Sequence, residues 1–151
     1  MKILNNILGL VMAASLAMNV AAAEKPTPDD AVAWVKKAVD FIKTNGRDKG
    51  LAEFNKADGK FTSGALYIFV IDQKGTMLAH GTLPRIVGKL VLEMKDADER
   101  YLFKDMLTAT SAKSNAWVHY KWPNPISKAI EAKSTYLERV DDMVIGCGIY
   151  R

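Results

Sequence analysis

Hydrophobic positions along this chain follow two periods in turn, first helical and then extended. Ala31, Val35, Ala38, Val39 and Ile42 recur at i, i+4, i+7, i+8 and i+11, one face of a helix, and Trp34 and Phe41 widen that stripe. Thr27-Pro28-Asp29-Asp30 is the start signal: a hydroxyl to cap, proline at the first helical position, and acids in the first turn. Asn45-Gly46 supplies the stop, because these residues tolerate left-handed backbone. A second, shorter helix is predicted over Lys49–Ala57, with Leu51 and Phe54 turned inward and Asp58-Gly59 ending it.

From Leu66 the pattern changes. Leu66–Ile71 is aromatic and branched throughout, as in a central strand covered on both faces. Asp72-Gln73-Lys74-Gly75 is a turn, and Thr76–His80 is its partner strand. Pro84–Met94 contains a short helix, and Asp98–Ala112 is helical again, with Tyr101, Leu102, Met106 and Ala109 to one side. Strands follow over Ala116–Trp122, Ala129–Val140 and Met143–Tyr150. The Trp122-Pro123-Asn124-Pro125 corner interrupts the ladder, since proline has no N–H to donate. Neither repeats nor a linker divide the chain. The sum is an α+β domain: an N-terminal helix packed on a five-stranded antiparallel meander, with helices inserted after the second strand.

The N-terminus changes the picture of where this domain works. Met1-Lys2 is basic, Ile7–Val20 is mostly apolar, and Ala21-Ala22-Ala23 offers the small residues of a cleavage site. A spanning helix would need about 20 continuous apolar residues, and here Asn19 falls late with no basic stop after it. Residues 1–23 therefore read as a secretory signal peptide and residues 24–151 as one exported domain. The formal charge of +4 is spread with both signs interspersed and no block of five like charges. A nucleic-acid partner would call for a basic stripe, so that class is excluded. Cys147, the only cysteine, sits in an apolar run and reads as a small core residue rather than a reactive thiol.

Alternation along the strands sorts candidate chemistry by face. In the last strand Ile145, Cys147 and Ile149 share one face, suited to pack on the N-terminal helix. Val144, Gly146, Gly148 and Tyr150 share the other. Two glycines in a central strand mean a close approach, either by a helix or by a ligand. Tyr120 and Trp122 have apolar bodies with polar tips, suited to core packing or to a pocket wall. Lys133 lies in mid-strand in Ala132-Lys133-Ser134-Thr135-Tyr136. It is either solvated or, if buried, in need of an anion, and no acid on its own strand is an obvious mate. Strand parity sets Lys133 and Tyr136 on opposite faces unless a bulge intervenes. His80 closes the second strand just before Gly81, as a packed histidine or as the mouth of a pocket.

Tyr67–Asp72, Gly75, Leu78-Ala79-His80, Gly88-Lys89, Lys95–Asp98, Trp122-Pro123-x-Pro125, Lys133-Ser134-x-Tyr136 and Val144–Tyr150, in this order and spacing, resemble the single Cache domain. That family is a PAS-like extracytoplasmic sensor module of chemoreceptors and histidine kinases, and the match runs from about residue 30 to the C-terminus. The resemblance implies a PAS-like fold whose loop after His80 folds over a pocket. It also implies a short carboxylate ligand such as pyruvate, lactate, acetate or propionate. Lys133 and His80 would hold the acid, and Tyr67, Phe69, Tyr120, Trp122 and Tyr136 would enclose it. Signalling members of the family lead into a transmitter, whereas this chain stops at Arg151. A stand-alone form working with a separate membrane chemoreceptor or sensor kinase is expected. The competing reading is a ligand-free interaction module that forms a homodimer or docks through its N-terminal helix, which an exposed stripe on residues 31–42 would favour. Catalytic motifs, metal-ligand spacing and cofactor attachment sequences are not found, so no enzyme, metal or cofactor is expected.

Overall fold

The computed structural model describes residues 24–151, so the signal-peptide reading of residues 1–23 lies outside the described residues. Helix α1 (Pro28–Asn45) starts on a reciprocal cap: Thr27 Oγ1 accepts from the Asp30 N–H at 3.3 Å, and the Asp30 carboxylate accepts from the Thr27 N–H at 2.7 Å. Gly46, at φ 87°, turns the chain, and α2 (Arg47–Phe54) begins at once. Both ends of α2 fall earlier than the pattern predicts, because this glycine lets the second helix start without a connecting loop.

The strands are β1 (Thr62–Ser63), β2 (Leu66–Asp72), β3 (Met77–His80), β4 (Asn115–Pro123), β5 (Ile130–Val140) and β6 (Met143–Tyr150), with α3 (Leu102–Ala112) between β3 and β4. All pairings are antiparallel in the order β1-β2-β6-β5-β4, with β3 also on β2. The Ile68 N–H donates to Phe61 and its carbonyl accepts from Gly81, so β1 and β3 share one edge of β2. The five predicted strands are present and the two-residue β1 is added. The order is not a meander, however: β3 does not neighbour β4, and the last strand returns beside the first long one. Burial explains this. Strands β2 and β6 are covered on both faces almost throughout and take the centre, while β4, which alternates buried and exposed, takes an edge.

The predicted short helix after Pro84 is a single 3-10 turn at Pro84–Ile86, and α3 begins at Leu102 rather than Asp98. The intervening residues form a loop around the buried Asp96, whose carboxylate accepts the N–H groups of Asp98, Arg100 and Lys121. Arg100 also donates to the His119 carbonyl at 2.9 Å. These contacts latch the loop over the middle of β4 and satisfy groups that an edge strand leaves open.

The sheet thus has two covered faces. Against one, α1 and α2 pack Val35, Val39 and Phe54, joined by Phe61 from the segment before β1, onto Ile145, Cys147 and Ile149. The predicted α1 stripe is the stripe observed, and it is buried. Cys147 is completely buried there, and burial pushes its thiol up to about 12, so it is inert. Against the other face, α3 and the segment after β3 pack Leu102, Phe103, Met106 and Ile86 onto Phe69 and Leu137. Among the described residues no helix is long and apolar enough to cross a membrane.

Candidate ligand site

Register across the second face brings six of the seven candidate residues together. Phe69 stands opposite His80, and Tyr120 stands opposite Lys133, which stands opposite Tyr150. Pairing along β5 runs without a shift from Ile130 to Val140, so there is no bulge to turn Tyr136 inward. Tyr136 lies on the α1 face, opposite Cys147, with its ring 5.5 Å from that of Trp117 and its hydroxyl 3.4 Å from Glu138. It does not share a face with the other candidates.

Lys133 is the centre of the arrangement. It is 1% exposed, its Nζ donates to Tyr67 Oη at 2.6 Å, and it lies 4.0 Å from the Tyr67 ring centre and 4.8 Å from that of Tyr150. The glycines opposite make this possible. A Cβ on Gly148 would run into Lys133 Cε, and one on Gly146 into the Phe69 ring. The close approach implied by those glycines is therefore made by site residues and not by a helix. Burial of the ammonium lowers its pKa to about 7, since a charged group loses hydration and gains no protein carboxylate in exchange. An ammonium has three N–H donors, and only the one to Tyr67 is spent among the described residues.

The hydroxyls beyond Lys133 are ordered by what each can accept. Tyr67 accepts from the ammonium, so its own proton is free for Tyr150 Oη at 3.3 Å. Tyr150 in turn donates to the Pro123 carbonyl at 2.8 Å. Tyr120 and Thr135 bond to one another at 2.9 Å beside this chain. Burial raises the hydroxyl pKa of Tyr67, Tyr120 and Tyr150, so all three remain protonated donors near neutrality.

His80 packs its ring 4.9 Å from Tyr67 and 6.1 Å from Phe69. Its Nδ1 accepts from the Thr82 and Leu83 amides at 3.3 and 3.0 Å, which fixes its proton on Nε2. Burial, and then the nearby Lys133 cation, lower its pKa to about 3. It is a neutral donor that also pins the loop after β3, and the positive charge of the site belongs to Lys133 alone. Sequence reasoning missed Tyr150, Thr135 and that loop contact. Tyr150 had one available signal, its place on the glycine face of β6.

An open cleft of about 650 Å³ lies next to this cluster and not over it. Thr82, Leu83, Trp122 and Pro123 line it, while Tyr67, His80 and Lys133 do not. Each partition residue touches the inner cluster: Thr82 and Leu83 through His80, Trp122 through the Tyr120 ring at 6.1 Å, and Pro123 through Tyr150.

A family model for single Cache domain 2 matches residues 13–151. The chain belongs to the single Cache domain 2 family. Solved structures agree in fold. A methyl-accepting chemotaxis protein from Vibrio parahaemolyticus is 25% identical with a TM-score of 0.69, the match covering 81% of this chain and 86% of that one. The periplasmic sensor domain of a chemotaxis protein is 22% identical at a TM-score of 0.64, covering 81% and 88%. A Cache chemosensory domain studied for carboxylic acid recognition is 22% identical at 0.63, covering 81% and 86%. Both of the latter speak to fold alone. This Cache domain accordingly has the architecture of extracytoplasmic chemotaxis sensors, and Lys133 occupies the face that the segment after β3 covers.

Proposed function

We propose that this Cache domain is a periplasmic sensor module that binds a short monocarboxylate, with the acid's oxygens on the Lys133 ammonium. One observation carries the reading: a fully buried lysine with two unspent donors and no carboxylate partner among the described residues. A buried charge without a counter-ion is costly, and a ligand carboxylate would supply one. The Nε2–H of His80 adds a neutral donor, Phe69 and Tyr120 add apolar wall, and the Tyr67–Tyr150 hydroxyl chain, its protons already spent, holds the ammonium in place. Tyr136 is left out, because it lies beyond the sheet. That a similar Cache domain was studied for carboxylic acid recognition supports the same ligand class.

Calorimetric titration with acetate, propionate, pyruvate and lactate tests this against Lys133→Met, which keeps the volume and removes the charge. A charge-assisted hydrogen bond contributes about 1.5–3 kcal/mol, so affinity for the best acid should fall roughly 10- to 100-fold. A change of less than twofold would remove Lys133 from the site. Cleavage after Ala23 belongs to the same proposal, and the mass of the exported protein should correspond to a chain beginning at Glu24. The docking-module reading has no comparable support, since the α1 stripe that would serve it is buried under the sheet.

A further inference from the structure

The cleft outside the partition has its own chemistry. Its volume lies within the roughly 300–1,000 Å³ typical of small-molecule sites. Leu83, Met94, Trp122, Pro123 and Pro125 give it an apolar lining with flat faces. Four cations stand around it: Arg85, Lys95, Lys121 and Lys128. Lys95 is paired with Glu99 and Lys121 with Asp98, both at 2.8 Å, whereas Arg85 and Lys128 make no ion pair among the described residues. Among the described residues Asp96 is the one acid on the wall, and its oxygens are already taken by the amides of Asp98, Arg100 and Lys121. The charge left unspent around the apolar lining is therefore positive. Lys128 is held in place rather than trailing free: its backbone sits at φ 63°, and its N–H donates to the Asn124 carbonyl at 2.9 Å.

We infer that this cleft is a second ligand site, separate from Lys133, for an organic anion with a flat apolar body such as an aromatic carboxylate. The apolar body would lie against Trp122 and the two prolines, and the carboxylate would face Arg85 and Lys128. Leu83, Trp122 and Pro123 stand between the two sites, so an occupant here does not reach the inner ammonium. A two-carbon acid has no apolar body to bury and gains little from the outer site. The same short acid would suit the enclosed inner one.

Benzoate, benzyl alcohol and acetate are the probes, titrated at constant ionic strength into the isotopically labelled protein and followed by amide and indole nuclear magnetic resonance. Benzoate should produce saturable shifts at the Trp122 indole N–H and the Leu83 amide. Those shifts should persist in Lys133→Met and under excess propionate in the unaltered protein. The double variant Arg85→Ala/Lys128→Ala should weaken benzoate about fivefold, as expected for two partly exposed charge contacts. Benzyl alcohol should bind more weakly than benzoate and be indifferent to that double variant. The inference is overturned if benzoate gives no saturable shift, or if the alcohol binds equally well. It is overturned equally if Arg85→Ala/Lys128→Ala changes nothing, or if the shifts disappear with Lys133→Met or propionate. Short-acid binding at Lys133 stands or falls separately from each of these outcomes.

Discussion

The two faces of the sheet are built from the same strands, residue by alternate residue, and differ in what they bury. Toward α1, β6 contributes Ile145, Cys147 and Ile149 to a dry hydrocarbon layer. Toward α3 it contributes Gly146, Gly148 and Tyr150, and the space left by the glycines admits Phe69 and a lysine. Each fully buried Val, Ile or Phe side chain on the first face stabilises the fold by about 1.5–3 kcal/mol. On the second, an ammonium has been taken from water with no counter-charge among the described residues, which works against stability. The first face holds the domain together and the second carries a local instability that a ligand can relieve.

Ile145→Ala should break the comparison most severely from the structural side. The residue is fully buried, and truncation should cost about 2–5 kcal/mol, measured by urea unfolding, with acid affinity of the folded fraction unchanged. Affinity falling in step with stability would show that the faces are not separable. Gly148→Ala is the counterpart on the other face. Its new methyl would meet Lys133 Cε and Thr135 Oγ1, so we expect a loss of about 1–3 kcal/mol together with loss of acid binding. Wild-type affinity in that variant would mean Lys133 moves aside freely and is not fixed by its packing.

Acidity separates the faces without mutation. Lys133 has a folded pKa of about 7, well below its usual 10.5. Above neutrality the native ammonium releases its proton while the unfolded chain keeps it, so the unfolded state binds more protons. Stability should therefore rise with pH between about 7 and 10, by at most about 1.4 kcal/mol per unit, and the penalty is fully present below 7. Acid affinity should move the other way, falling by at most about tenfold per unit above neutrality and levelling off once the loss reaches the roughly 10- to 100-fold expected of Lys133→Met. His80, near 3, stays neutral throughout. Unfolding and binding curves collected at neutral and alkaline pH test both slopes, and Lys133→Met should flatten them. The smallest effect expected is that of Thr27→Ala, which removes the α1 cap at the far edge of the first face. It should cost about 1 kcal/mol in thermal unfolding and leave acid binding untouched.

Much of this was legible in the chain. The α1 stripe, its cap, the long strands and the division of β6 into an apolar face and a glycine face all follow from local periodicity and side-chain size. These are properties that a residue carries wherever it is placed. Parity alone also said that Lys133 and Tyr136 part company, and only the possibility of a bulge kept the question open until the unbroken β5 register closed it.

What the sequence could not supply depends on pairing between distant segments. Nothing local says that β6 returns beside β2 rather than extending a meander. That order arises because the two strands most apolar on both faces gain most from the centre of the sheet. Nor does any local signal place Tyr150 opposite Lys133, or Tyr67 within 2.6 Å of its ammonium, since those contacts span three strands. The sequence by itself determined the elements, the polarity of their faces and a lysine in need of an anion. Tertiary structure decided that the lysine is buried with two donors unspent, because burial and register are properties of the assembled sheet and not of any one strand.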